Sequence, residues 1–254
     1  MDSAVFALII AAAAGLSTVL GALIVFVRGN SEKLVTAALG FAAGVMISIS
    51  FIEMFPTAVR AFSSVMGEQL GVLYAVLALI GGVLIAAGLD MLVPHEHDSK
   101  GEKNHGNMYR LGAMSMLAIA VHNFPEGIAT FMAGLNDAAL GVSVALAIAL
   151  HNIPEGITVA MPVYYATGSR KRAIFYTFVS GVSEPIGALL AYLFLRPYLN
   201  DVIMGAAFAV VVGIMLYIAL EELLPASRQY GYTRLALFSV LSGVCLMPLT
   251  MVIA

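Results

Sequence analysis

Two hexapeptides decide the fold of this chain: HNFPEG at residues 122–127 and HNIPEG at residues 151–156. The second copy begins 29 positions after the first and differs from it only at the third residue. Both copies stand in the middle of long apolar segments, where ionisable side chains are costly in lipid and are functional candidates by default. The pair therefore indicates a polar site inside a bundle of apolar helices.

Each hexapeptide sets its polar groups at helical spacing. His122 and Glu126 are four residues apart. His151 and Glu155 have the same spacing, so each pair shares one face of a helix. The intervening proline removes a backbone donor and favours a kink, while the glycine after Glu allows a second backbone to come close.

The composition is typical of a membrane protein. The 254 residues are 61% hydrophobic and 11% charged, and the mean hydropathy is +0.98. Soluble domains contain roughly 45–50% apolar and 25% charged residues. The net charge of -3 argues against a nucleic-acid partner, which needs a basic face. The single cysteine, Cys245, excludes an intramolecular disulfide and a thiolate metal cage.

Eight apolar blocks are long enough to be membrane helices, which need about 20 apolar residues. The first block is too long and too evenly apolar for a cleavable signal peptide, and it lacks a basic start. The blocks leave no room for a soluble domain, so the sequence predicts one all-α transmembrane domain over residues 1–254. The blocks span about 4–27, 34–56, 72–93, 109–134, 139–165, 173–195, 202–225 and 233–254.

The lysines and arginines give the orientation, because cytoplasmic loops are enriched in them. With the N-terminus outside, only Arg60 and Arg196 remain on the outer side. The other ten of the twelve basic residues then lie on the inner side, which predicts an even number of spans with both termini extracytoplasmic. These ten are Arg28, Lys33, Lys100, Lys103, Arg110, Arg170, Lys171, Arg172, Arg228 and Arg234.

The polar groups of the fourth and fifth spans suit a divalent metal. The two spans are antiparallel neighbours, so their hexapeptides meet near the membrane midplane. Neutral imidazole and carboxylate bind borderline divalent metals, and the oxygens of Asn123 and Asn152 add hard ligands. In the sixth span Glu184, before Pro185, offers a third buried carboxylate. Two alternatives stay open: histidines that only hydrogen-bond between helices, and a Glu184 that carries protons without contacting metal.

The second and seventh predicted spans both end in Glu-x-x-Pro, at residues 53–56 and 222–225. In the predicted orientation one carboxylate lies near the outer face and the other near the inner face. This relation is expected of an inverted repeat in which spans one to three match spans six to eight. We expect Glu53 to line an outer vestibule and Glu221 or Glu222 to be an inner exit ligand. Solvated helix ends are the alternative.

The predicted inner loop at about residues 94–108 contains three histidines and three acidic residues. We expect His95 and His97 to hold a metal loosely, because a flexible loop loses conformational entropy on binding. Such a loop would collect ions on release or sense their level. An unstructured polar linker is the alternative.

The paired hexapeptides resemble those of the ZIP (zinc/iron-regulated transporter-like) family, in particular its bacterial ZupT-type branch. The resemblance extends over the whole chain, including eight spans, both termini outside and a histidine-bearing loop after the third span. It implies a 3+2+3 helix arrangement with inverted repeats and no enzymatic activity. It also implies a two-metal site, with Glu155 suited to bridging, formed by His122, Asn123, Glu126, His151, Asn152, Glu155 and Glu184.

The resemblance implies uptake of divalent metal ions into the cytoplasm across the cell (inner) membrane. Zinc is the first expectation, followed by iron(II), manganese, cobalt and cadmium. These ions are cargo, so no cofactor is expected. The expected partners are the ions and the lipid bilayer. The oligomeric state is left open, with a homodimer as one option.

Two rival interpretations stay open at this point. A membrane metalloenzyme would also place His and Glu in helices, but the apolar blocks contain neither His-Glu-x-x-His nor the Glu-x-x-His order of di-iron bundles. A metal exporter of similar topology is the other rival. The direction of flux depends on gradients and coupling, which a sequence barely records.

Overall fold

The computed structural model describes residues 2–26, 32–92, 103–195 and 197–250. Over these residues the protein is all helical, with no strand. Eight long helices follow one another in this described part, at the positions of the eight apolar blocks. They are α1 (Ser3–Phe26), α2 (Glu32–Met66), α3 (Glu68–Leu92), α4 (Lys103–Asn136), α5 (Ala138–Thr167), α6 (Arg170–Leu195), α7 (Asp201–Arg228) and α8 (Thr233–Thr250).

Six helices in the described ranges are long and apolar enough to cross a membrane, namely α1, α2, α3, α5, α6 and α7. Helix α4 carries the polar HNFPEG hexapeptide, and the apolar part of α8 is shorter (Thr233–Leu249). The outer surface is itself apolar: Leu84 on α3 is 67% exposed and Phe238 on α8 is 68% exposed. Soluble monomers rarely expose large contiguous apolar patches. The protein is therefore a multi-pass membrane protein.

Short turns make consecutive helices pack antiparallel. Gly67 alone separates α2 from α3, with a φ of 83° that glycine adopts without steric cost. Asp137 alone separates α4 from α5. Its side chain accepts a hydrogen bond from the backbone N–H of Leu140 (2.9 Å) and so caps α5. The tight α4–α5 hairpin places the two hexapeptides opposite each other.

Helices α2 and α7 do not end at their Glu-x-x-Pro segments, which corrects the expectation from the sequence. Each widens into a π-helix just before the proline, at Ser50–Met54 in α2 and Ile218–Leu223 in α7. Helix α2 then continues to Met66. In a regular α-helix the proline ring clashes with the carbonyl group four residues earlier. The wider turn avoids this clash, and it places Glu53 and Glu222 in π-turns, a geometry frequent at functional sites.

Glycines let the neighbours of α4 and α5 come close. A Cβ atom added at Gly127 of α4 would collide with the backbone carbonyl oxygen of Glu184 in α6. One added at Gly156 of α5 would collide with the carbonyl oxygen of Thr18 in α1. The glycines of the two hexapeptides therefore set the α4–α6 and α5–α1 contacts, as small residues do in membrane bundles.

The outer helices follow the same pattern. A Cβ atom on Gly44 of α2 would collide with the carbonyl oxygen of Val240 in α8, and one on Gly213 of α7 with the carbonyl oxygen of Leu79 in α3. Gly44 and Gly213 are 169 positions apart, which is also the separation of the two Glu-x-x-Pro segments. The glycine contact between α2 and α8 thus has a counterpart in the one between α7 and α3. In the same way, the glycine contact between α5 and α1 has a counterpart in the one between α4 and α6.

We expect Gly156→Ala to destabilise the protein. The added methyl group collides with a carbonyl oxygen of α1, which is backbone and cannot rotate away. Overpacking of this kind costs about 1–3 kcal/mol. The measurement is the midpoint of thermal unfolding of the purified protein in detergent, which should fall.

Gly88→Ala is the matched control for this substitution. Gly88 lies in α3, and a Cβ atom added there meets nothing within 4 Å. Alanine favours a helix over glycine by about 1 kcal/mol, so this variant should be as stable as the wild type or more stable. Equal unfolding midpoints for the two variants would show that the α5–α1 contact does not require a glycine.

Candidate metal centre

The facing sides of α4 and α5 bring both hexapeptides together in the protein interior. His122 and Glu126 project from α4, while His151 and Glu155 project from α5. All four residues are buried, with at most 4% of their surface exposed. The ring centroids of the two histidines are 6.1 Å apart. The fold thus gathers imidazoles and carboxylates from two separate segments into one cluster.

Contacts between the helices hold this cluster together. Glu126 Oε1 lies 3.0 Å from His151 Nε2 on the opposite helix and 3.2 Å from His122 Nε2 on its own helix. His122 Nε2 in turn lies 3.1 Å from Glu155 Oε1. Each imidazole therefore contacts a carboxylate of the partner helix, so the cluster exists only when α4 and α5 are packed.

Three of these groups are close enough to share one cation. Ligand atoms of His122, His151 and Glu155 all lie within 4.8 Å of one another. Bonds from zinc to nitrogen or oxygen measure about 2.0–2.2 Å, so a small inward movement of the side chains is enough to coordinate an ion. Glu126 adjoins both imidazoles and adds a second carboxylate to the group.

Several buried polar atoms of this centre have no hydrogen-bond partner in the described part of the chain. Leaving such an atom unsatisfied costs about 1–3 kcal/mol, and buried charges are otherwise paired or coordinate metals. The donor set, with imidazole nitrogens and carboxylate and amide oxygens, fits a divalent cation. The unpartnered atoms include Nδ1 of His122 and His151, Oδ1 of Asn123 and Asn152, Oε2 of Glu126 and Glu155, and Oε1 of Glu184.

The two asparagines tie the centre to its neighbouring helices. Asn152 Nδ2 donates to the carbonyl oxygen of Ala14 in α1 (3.0 Å). Asn123 Nδ2 donates to the carbonyl oxygen of Ser180 in α6 (3.3 Å). The amide nitrogens are thus engaged with protein backbone, whereas the amide oxygens remain available to a ligand.

Glu184 joins the centre from α6. Its side chain is fully buried, and Glu184 Oε2 accepts a hydrogen bond from Asn152 Nδ2 (2.9 Å). Together with Glu126 and Glu155 it places three carboxylates in one buried region. Buried charges are strongly destabilising when left uncompensated, so these carboxylates need the nearby imidazoles, protons or a bound cation to balance them.

A cavity of about 210 Å³ reaches the centre from one side. Glu126 forms part of its wall, and Glu53 and Thr57 of α2 form another part. The residue predicted for an outer vestibule therefore shares a cavity with a carboxylate of the centre. The rest of the wall consists of Met54, Ala129, Val144, Ile148 and Phe208.

A second cavity, of about 280 Å³, is lined by Glu221, Glu222 and Arg110 together with the last turns of α7. Glu222 Oε1 accepts a hydrogen bond from Arg110 Nη1 (2.9 Å), and the same guanidinium pairs with Asp90 of α3. The sequence analysis counted Arg110 among the loop charges. The structure places it inside α4 with 12% of its side chain exposed. The carboxylate of Glu222, predicted as an exit ligand, is thus held in an ion pair, while Glu221 is exposed.

Asp90 was not predicted from the sequence as a member of this cluster. The only indication of Asp90 in the sequence is an acidic residue near the end of an apolar block. Its partner Arg110 lies in another helix, so sequence spacing does not identify the pair. Tyr217 Oη also donates to Asp90 Oδ2 (3.1 Å), so α3, α4 and α7 are joined by one polar network. The predicted loop ligands His95 and His97 lie outside the described residues.

Known proteins resemble this chain over nearly its full length. Residues 94–251 match the family model described as ZIP Zinc transporter. The chain is 46% identical to the protein named Zinc transporter ZupT of Streptococcus mutans, over 97% of both chains. It is 42% identical to that of Oceanobacillus iheyensis, over 100% of this chain and 99% of the relative. It is 45% identical to that of Nitratidesulfovibrio vulgaris, over 94% of both.

The matched region contains both hexapeptides and all of α6. The family model covers more than half of the chain, and several relatives align almost from end to end. The resemblance inferred from the two hexapeptides is therefore confirmed, and the chain belongs to the ZIP zinc transporter family.

Proposed function

We propose that this chain carries zinc into the cytoplasm through a binding centre on α4, α5 and α6. The observation that carries the proposal is the buried cluster of His122, His151 and Glu155 within two long helices. The relatives are named zinc transporters, and the family is one of transporters rather than enzymes. The ligands that we assign to the centre are His122, Asn123, Glu126, His151, Asn152, Glu155 and Glu184.

The proposal includes eight membrane crossings, with both termini outside the cytoplasm. Helices α1–α3 and α6–α8 would form an inverted repeat, with α4 and α5 between the two halves. Support comes from the corresponding glycine contacts and from the π-turns before Pro56 and Pro225. The orientation is supported by the placement of ten of the twelve basic residues on one side.

In this orientation the cavity lined by Glu53 opens outward and the cavity lined by Glu222 opens inward. An ion would exchange its water for ligands beside Glu53, pass Glu126 into the centre and leave beside Glu221 and Glu222. The outer cavity has Glu126 in its wall. The inner cavity has no residue of the centre among its described lining residues. This difference favours an arrangement in which the centre is reached from outside.

The ligand chemistry favours zinc and ions close to it. Imidazole and carboxylate groups suit zinc, iron(II) and cobalt, and amide oxygens extend the range toward manganese. The single cysteine, Cys245, is exposed on α8, so no thiolate is present in the centre to exclude these harder ions. We therefore infer that iron(II), manganese, cobalt and cadmium are carried alongside zinc, across the inner membrane of a bacterium.

We expect Glu155→Gln to abolish zinc uptake. Glutamine keeps the size of the side chain but removes the negative charge that faces His122 and the ion. Loss of one charged ligand in a buried site should weaken zinc binding by more than about tenfold. The measurement is uptake of radioactive zinc by proteoliposomes that contain the purified protein.

Glu68→Gln is the control for this variant. Glu68 lies at the exposed start of α3, so the same chemical change there should leave zinc uptake at the wild-type rate. Normal uptake by the Glu155→Gln protein would contradict the assignment of the centre.

The direction of transport distinguishes the proposal from its exporter rival. Right-side-out membrane vesicles given external radioactive zinc should accumulate it in a protein-dependent way. If the protein were an exporter, inside-out vesicles would accumulate zinc instead. If it were a metalloenzyme, neither kind of vesicle would accumulate zinc. Accumulation confined to inside-out vesicles would overturn the proposed direction.

The orientation of the two cavities has a direct test. In a Cys245→Ala background, Thr57→Cys places a thiol in the first cavity and Gln229→Cys places one in the second. A membrane-impermeant thiol reagent added to intact cells should label the Thr57→Cys protein only. The Gln229→Cys protein should react after the cells are permeabilised. The opposite pattern would show that the proposed topology is inverted.

A further inference from the structure

Thr18 of α1 is a buried polar residue to which the centre described above gives no role. Its side chain is fully buried, and its hydroxyl has no hydrogen-bond partner in the described part of the chain. A helical threonine commonly satisfies its hydroxyl on a carbonyl group of the preceding turn. Thr177 of α6 does so, donating to the carbonyl oxygen of Ala173 (2.9 Å). The hydroxyl of Thr18 is therefore free to bind something else.

At the crossing of α1 and α6, Thr18 occupies the position on α1 that corresponds to the position of Glu184 on α6. The helices cross at Gly15 and Gly181, where a Cβ atom added to either glycine would lie 2.6 Å from the carbonyl oxygen of the other. The atom on Gly15 would also lie 2.7 Å from Cβ of Glu184, and the atom on Gly181 3.2 Å from Cβ of Thr18. Gly15 and Gly181 are 166 positions apart, as are Thr18 and Glu184.

The asparagine contacts obey the same relation. Asn152 donates to the carbonyl oxygen of Ala14, and Asn123 donates to that of Ser180. Ala14 and Ser180 are again 166 positions apart. The glycine contacts and the asparagine contacts thus give the same correspondence between residues of α1 and residues of α6, at an offset of 166 positions.

In this register, the pair that corresponds to Asn152 and Glu184 is Asn123 and Thr18. Asn152 donates a second hydrogen bond to Glu184 on α6, and the residue of α1 that corresponds to Glu184 is Thr18. Both Asn123 Oδ1 and Thr18 Oγ1 are buried without a partner in the described residues. Buried polar groups of native proteins normally have a partner, so an unpartnered hydroxyl at the position that corresponds to Glu184 is a candidate ligand for the cation of the centre.

We infer that Thr18 belongs to the cation-binding centre, where its hydroxyl supplies a neutral oxygen on the α1 side while Glu184 supplies a carboxylate on the α6 side. The inference rests on the proposed function. A neutral oxygen binds a divalent ion more weakly than a carboxylate does, and a fourth carboxylate at this position would hold the ion too tightly for release. Weak, multiple ligands allow an ion both to enter and to leave.

The test compares zinc binding with stability in three variants of the full-length protein. Thr18→Val removes the hydroxyl and keeps the shape, Thr18→Ser keeps the hydroxyl, and Thr36→Val is the control. Thr36 on α2 is also fully buried with an unpartnered hydroxyl. Zinc affinity is measured by titration calorimetry in detergent, and the unfolding midpoint is measured without metal.

We expect Thr18→Val to weaken zinc binding by about tenfold, the loss typical of removing a residue that supports a metal site. Its metal-free unfolding midpoint should stay equal to that of the wild type or rise, because an unsatisfied buried hydroxyl is removed. Thr18→Ser and Thr36→Val should bind zinc as the wild type does.

Two results would overturn the inference. Unchanged zinc affinity in Thr18→Val would show that the hydroxyl does not face the ion. A loss of affinity accompanied by an equal loss in Thr36→Val, or by a lower metal-free midpoint, would show a structural role only. Failure of the wild-type protein to bind zinc would instead refute the proposed function, so the two failures are distinguishable.

Discussion

The structure depends on the contacts between carboxylates and imidazoles that α4 and α5 bury together. Two unit charges 4 Å apart interact by about 4 kcal/mol at an effective dielectric constant of 20. Glu126, Glu155 and Glu184 gather like charges in such a region, and each has an oxygen without a hydrogen-bond partner among the described residues. The imidazoles that contact Glu126 and Glu155 offset part of this repulsion, and in the function that we propose a divalent cation would offset the rest.

Close packing of the helix backbones holds the side chains of the centre in place. The glycine that ends each hexapeptide brings α6 against α4 and α1 against α5, and the asparagine of each hexapeptide fastens the same neighbour by a hydrogen bond to its backbone. A hexapeptide thus contains both residues that we assign to the centre and the contacts that support them. One six-residue pattern, used twice, therefore supplies most of the proposed site, and Glu184 is added from α6.

The two cavities, one lined by Glu53 and the other by Glu222, differ in the charges of their walls. The carboxylate of Glu53 faces the cavity that reaches Glu126, whereas Glu222 faces the other cavity already paired with Arg110. In the proposed pathway, an ion that leaves through that cavity would compete with a guanidinium for the carboxylate. Because Arg110 also pairs with Asp90, movement of α4 relative to α3 and α7 would change the availability of Glu222. In the proposed pathway, this ion pair would couple release of the ion to a movement of helices.

The amino-acid sequence alone predicted the all-helical membrane fold, the order of the helices and the tight α4–α5 hairpin, and it supplied the residues that we propose for the centre. These features depend on local hydrophobicity, on four-residue spacing and on the turn at Asp137, all of which are encoded in neighbouring residues. Only the tertiary structure decided that α2 continues past Pro56, because a π-turn is stable only where neighbouring helices support it. It alone paired Arg110 with Asp90 and Glu222, and it alone gave Thr18 of α1 the position that Glu184 has on α6, since both depend on the packing of helices that are distant in the chain.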